Sequence, residues 1–178
     1  MDIEKKYMSQ VKNQKTFIDL SVNGESNFGF IVDFNDEFLI FETFDTNGIP
    51  DGITVFFREE SNIIIRWGGN EITSTEKVLD HTRRLQKMPK INLESIETIV
   101  KSVNEAFRHV TVCINDFEDT CFIGQVREID EDTLILNEFG SKIALDRKFV
   151  MIPLNAISKI QAGGQYELSL VKLYIDER

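Results

Sequence analysis

Three donors of the kind that hold zinc lie close together in this chain: His109, Cys113 and Cys121. Imidazole and thiolate are the usual ligands of a tetrahedral zinc ion. A fourth ligand is missing nearby, and the spacing fits no standard zinc motif. The two cysteines stand symmetrically about Phe117, so they are expected to face each other across a hairpin as reduced structural thiols. The carboxylates Asp33, Asp36, Glu37, Asp45 and Asp51 could flank a glycosidic bond or hold a metal ion. They fall in and beside turn-forming stretches, where acidic side chains are simply solvated, and no histidine, phosphate-binding glycine loop or nucleophile motif accompanies them. The expectation is a protein that is not an enzyme, with no cofactor and no metal. A third set is basic: Lys77, Arg83, Arg84, Lys87 and Lys90, opposed only by Asp80. Such a run could meet phosphates or an acidic partner, or could be a solvated helix face. His81 sits in the same run and reads as a surface residue, while Trp67 reads as core or interface packing.

Charge narrows the choice of partner. The chain of 178 residues carries a net charge of −10. From Thr16 to Ile72 its only cations are Arg58 and Arg66, against eleven carboxylates. Nucleic-acid binders draw most of their non-specific affinity from phosphate neutralisation, so RNA is possible but disfavoured. A protein partner or self-association is favoured. No apolar run approaches the roughly 20 residues that span a bilayer, so no membrane is expected. The opening MDIEKKYMSQVKNQ does not read as a signal peptide, and two cysteines make no disulfide framework. The expected location is cytoplasmic.

The elements that position these residues come in two sets. Gly29 to Gly69 reappears as Gly124 to Gly164, without a gap, when the numbering is shifted by 95. Leu39-Ile40 falls on Leu134-Ile135, Phe44 on Phe139, Val55 on Val150, and Gly68-Gly69 on Gly163-Gly164. Self-similarity of this kind implies two copies of one small unit. We expect a first domain over 1–72, a helical linker over 73–90 and a second domain over 91–178. In the first, apolar steps of four over Asp2 to Gln14 indicate a helix. Strands follow near Phe17–Val22, Phe28–Asn35, Phe38–Phe44, Ile53–Arg58 and Ile63–Trp67. The linker is expected to open with a capping box from Thr73 to Glu76 and to stay helical to about Lys87. Asn92 is expected to cap a second helix through Phe107, ahead of strands at Val110–Ile114, Cys121–Ile129, Thr133–Phe139, Ile143–Ile152 and Ile157–Gln161. Tyr166 to Tyr174 is either a final helix or an added strand.

A helix followed by five short antiparallel strands, twice over, resembles the Sm-like fold of Sm, Lsm and Hfq proteins. Gly29 with Asn35, and Gly124 with Asp130, are similar to the glycine and turn aspartate of the first Sm motif. Phe57-Arg58-Glu59 and Ile152-Pro153-Leu154, followed by Ile63 and Ile157, are similar to the second. The resemblance implies a mainly β protein with helices: two tandem five-stranded Sm-like (SH3-like) barrels, each preceded by a helix. It also implies assembly, since such barrels pair the fourth strand of one subunit with the fifth of the next, in a homo-oligomer. RNA-holding members place an asparagine ten residues after the glycine, where this chain has Leu39 and Leu134. Of their second-motif cations only Arg58 is present, so it joins the candidate contacts. The expected function is a binding or assembly module with a protein partner; the alternative is RNA binding through the basic linker.

Overall fold

The structure, a computed structural model, describes residues 2–59, 61–85, 87–115 and 120–176, with the side chain of Arg83 outside the description. The expected turn at Asn115-Asp116 lies partly outside these residues. The chain divides into two compact units, Met1–Met88 and Pro89–Arg178. The fold is mainly β, with ten strands and four α-helices among the described residues.

The first unit opens with helix α1 (Ile3–Asn13), whose N-terminus is capped by the Asp2 carboxylate. Five strands follow: β1 (Ile18–Val22), β2 (Glu25–Phe34), β3 (Phe38–Phe44), β4 (Pro50–Phe57) and β5 (Ile63–Trp67). They form an antiparallel meander in which β5 returns to pair with β1, giving the order β5-β1-β2-β3-β4. Alternation of side chains along each strand divides the core in two. Ile31, Leu39 and Phe41 join Met8 and Val11 of α1 on one face. Phe30 and Phe44 join Phe17 on the other, and Ile72 and Leu79 from the stretch read as linker close over them.

That stretch differs from its sequence reading. Helix α2 spans only Asn70–Lys77 and begins at Gly69 with no side-chain cap. Thr73 Oγ1 donates back to the Gly69 carbonyl instead of capping. Beyond a turn at Val78, Asp80 N–H bonds the Gly48 carbonyl at 2.7 Å, and a short 3-10 turn runs from His81 to Arg83. The chain breaks its helix here because Leu79 is drawn into the aromatic face. A side chain at Gly48, where φ is +77°, would strike the Val78 carbonyl, so glycine permits this close passage.

The second unit repeats the plan. Helix α3 (Ile96–Phe107) is capped by a box between Ser95 and Thr98, not by Asn92. Strands β6 (Val110–Ile114), β7 (Cys121–Ile129), β8 (Thr133–Phe139), β9 (Arg147–Pro153) and β10 (Ile157–Ala162) take the order β10-β6-β7-β8-β9. The chain after Gly164 is helical: α4 (Gln165–Val171) runs into a π-helical turn, Lys172–Asp176. Its Tyr174 packs with Leu170 and Val171 on Phe139. Residues 95 apart hold the same positions: Ile31 opposes Phe41 as Val126 opposes Leu136, and both second strands bulge just after. A Cβ at Gly29 would run into the Glu42 carbonyl, and one at Gly124 into the Asn137 carbonyl. Close backbone approach therefore explains both glycines.

Two expectations are corrected. Neither sheet closes into a barrel: β5 and β9 each end their sheet with one ladder only, to β1 and to β8. Each last strand bonds back to its unit's first strand, which leaves the fourth without a closing partner in its own unit. The gapless repeat also slips by one in the fourth strand. Val55 opposes Ile40, but Met151, not Val150, opposes Ile135. A bulge between Glu42 and Phe44 absorbs one residue in the first unit, whereas β8 and β9 pair without interruption. A one-residue slip turns every side chain to the other face. The slip puts Phe149 and Met151, not Lys148 and Val150, at the ladder positions of Ile53 and Val55. There Ile53 and Val55 are 1% and 0% exposed, whereas Phe149 and Met151 are 64% and 72% exposed.

Candidate functional site

The zinc reading fails. Cys113 and Cys121 are joined in a disulfide between directly opposed residues of β6 and β7. They are not reduced thiols, and their sulfurs are not free to bind metal. His109 is fully buried with both ring nitrogens engaged: Nδ1–H donates to the Phe107 carbonyl at 2.9 Å, and Nε2 accepts from Gly163 N–H at 3.2 Å. Burial pushes its pKa below the usual histidine value, keeping it neutral. Among the described residues no group of three or more His, Cys, Asp or Glu is arranged to hold a metal ion.

Asp33, Asp36 and Asp45 each engage groups within the first unit. Asp45 accepts from the N–H groups of Asn47 and Ile49 and ties its loop. Asp33 holds Lys12 at 2.6 Å, and Asp36 holds Lys5 at 2.5 Å, which lowers the Asp36 pKa. Glu37 and Asp51 lie on the exposed surface. The turn residue of each first motif has the same task. Asn35 Oδ1 accepts from the N–H of Glu37 and Phe38, and Asp130 Oδ1 from those of Asp132 and Thr133. Those two N–H groups hold the Asp130 carboxyl below its usual range.

Two of the candidate basic residues, Arg58 and Arg84, are engaged with carboxylates of their own unit. Lys77, Lys87 and Lys90 are exposed, Lys90 in the second unit. Arg58 is turned inward: its side chain is 9% exposed, bonds Glu4 at 2.6 Å and the Asn35 carbonyl, and lies over the Phe34 ring. Arg84 is committed as well. Its Nε and Nη2 meet the two oxygens of Glu42 at 2.9 and 2.5 Å. Its guanidinium lies 4.7 Å from the Phe30 ring centroid and 5.6 Å from that of Phe44. Glu42 is almost wholly buried, so this is a bidentate pair beside two aromatic rings. A groove of about 800 Å³ runs beside it, between Lys12 and Lys15 at the end of α1 and the segment carrying His81, Leu85 and Met88. Sequence reasoning missed Glu42 because one acidic residue in an apolar strand carries no motif.

The other candidate surface is apolar. Trp67, read as core or interface, is 51% exposed and stacks on Tyr7 with ring centroids 6.2 Å apart. Together with Met8, Val11, Ile63 and Ile65 they line a slot of about 200 Å³ between α1 and the β5 edge. On β9, Phe149 and Met151 face outward beside a free edge. Comparison with protein families, curated proteins and solved structures returns no match, so the reading of function rests on these surfaces. No helix among the described residues is long and apolar enough to cross a membrane.

Proposed function

We propose that this chain is a non-catalytic assembly module built from two Sm-like units, arisen by internal duplication, with another protein as its partner. The favoured first partner is a second copy of itself. The observation that carries this reading is the β9 edge, with Phe149 and Met151 exposed where Ile53 and Val55 of β4 are buried. An unpaired strand edge is a template for another chain, and proteins that stay monomeric blunt it with charge, proline or a bulge. Here Lys148 and Pro153 blunt the ends of β9 but not its apolar middle. The free edge of the first unit, β5, offers Ile64 and Trp67. One is the fourth strand of its unit and the other the fifth, the two edges that Sm-like proteins join.

Light scattering from low to high micromolar concentration tests this. The mass should rise to whole multiples of 20.5 kDa, and the double variant Phe149→Lys/Met151→Lys should lower it. A strict monomer at every concentration sinks the self-assembly reading. The RNA alternative loses support because Arg58 and Arg84 both neutralise internal carboxylates. Single-stranded RNA should bind weakly at physiological salt; tight binding that weakens steeply as salt rises would replace the protein-partner reading.

A further inference from the structure

A buried carboxylate flanked by aromatic rings is a receptor for a planar cation. Glu42 and Phe30 are directly opposed on β3 and β2, and Phe44 lies two residues along the same face. Together they present two carboxylate oxygens and two ring faces, the arrangement that holds a guanidinium by a fork of N–H bonds and by cation–π attraction. Arg84 fills this receptor from a segment outside the sheet. That segment is anchored by buried Leu79 and by the Asp80 to Gly48 bond, and Leu85 after it is 48% exposed. The Arg84 side chain is itself one-third exposed. Leaving Glu42 charged and unpaired in this site would be costly, so the site exchanges one guanidinium for another and does not stand empty. The adjoining groove gives a second peptide room to approach, and Lys12 on its wall is neutralised by Asp33. A chain of net charge −10 also attracts cationic segments.

We infer that Glu42, Phe30 and Phe44 form an arginine-binding site for a partner protein's peptide, occupied in cis by Arg84 until that peptide displaces it. The second unit has no such receptor, since Asn137 stands where Glu42 does and Arg147 of its own β9 covers Phe139. The inference leans on the protein-partner reading only for the source of the arginine. The site is distinct from the β5 and β9 edges, so its failure leaves the assembly measurement untouched, and the reverse also holds.

The test is titration of the full chain with N-acetyl-arginine amide, followed by backbone amide NMR at β2 and β3. Arg84→Ala should bind at least about tenfold tighter than wild type, the factor expected when Arg84 fills the site nine-tenths of the time or more. N-acetyl-lysine amide should bind Arg84→Ala more weakly than the arginine probe. Adding Glu42→Gln to Arg84→Ala should remove the gain. Should Arg84→Ala fail to fold, Arg84→Lys keeps a cation beside Glu42 but lacks the planar fork, and must also bind the probe more tightly than wild type. Equal binding by wild type and the folded Arg84 variant, or binding that survives Glu42→Gln, overturns the site.

Discussion

Reducing the Cys113–Cys121 disulfide should weaken the second unit by an amount that its geometry sets. The bond joins residues eight apart in sequence, so it closes a short loop in the unfolded chain. Chain-entropy arithmetic for a loop of that length gives about 2.5 kcal/mol at room temperature. The reductant has access, because Cys121 is exposed although Cys113 is 2% exposed. Cross-strand pairing should survive reduction, since the bond from Ile114 N–H to the Thr120 carbonyl at 2.9 Å does not depend on the sulfurs. The loss should therefore appear as reduced stability and not as a different fold. Urea unfolding followed by far-UV circular dichroism reads it: the midpoint should fall by about 0.8–2.5 M for the slopes of small proteins. Cys121→Ser should reproduce the fall without reductant, because an exposed serine replaces an exposed sulfur. Protein unfolded without reductant should titrate no free thiol. Identical midpoints with and without reductant, in protein shown to change from no thiols to two, would refute the reasoning.

Other outcomes follow from packing and charge. Leu136→Ala, at a fully buried position facing Val126 and Val150, should cost about 2–5 kcal/mol by chemical unfolding; a loss below about half a kcal/mol would mean that the strand faces are wrong. Gly124→Ala should destabilise far more than a surface change, because its Cβ meets the Asn137 backbone of the paired strand; a neutral result in thermal melts contradicts that close approach. His109 gives a pH dependence whose sign is fixed. Its folded pKa lies below the unfolded value of about 6.5, so the unfolded chain binds the proton more readily. Stability should be level above that pH and fall as pH drops through and below it, before the carboxylates titrate. His109→Gln should flatten this slope, and a slope unchanged in that variant would refute the role of His109.

Much of this was legible in the sequence, and the parts that were not share a cause. Strands such as Phe38–Phe44 and Cys121–Ile129 announce themselves as short apolar-rich runs between turn formers and stand where expected. Turn chemistry likewise marked Asn35, and the motif resemblance marked Asp130. The symmetry of Cys113 and Cys121 pointed to a facing pair, but composition argued for thiols where the structure has a bond. Thr73 to Glu76 imitates a capping box, yet the helix starts at Asn70, where the glycine before it offers no side chain to recognise. The slip in β9 is invisible to a gapless match, because it depends on a bulge in the partner ladder of the other copy. The Arg84–Glu42 pair spans 42 residues and has no local signature at either end. What depended on neighbours in sequence could be read; what depended on neighbours in space could not.

The return of each fifth strand to the first has a kinetic consequence. All other ladders within a unit join consecutive strands, but β1 meets β5 through pairs from Val22 with Ile63 to Ile18 with Trp67. The second unit repeats this between Thr111 and Gln161. Closing a loop that long carries more entropy cost than any of the hairpins, so these ladders should form last and set the folding rate. A ribosome-bound chain that has not yet extruded Trp67 holds β1 with one edge bare, and the same holds for β6 until Gln161 emerges. Until that moment the growing chain exposes a buried-type strand, Ile-Asp-Leu-Ser-Val, to any neighbour able to add to it.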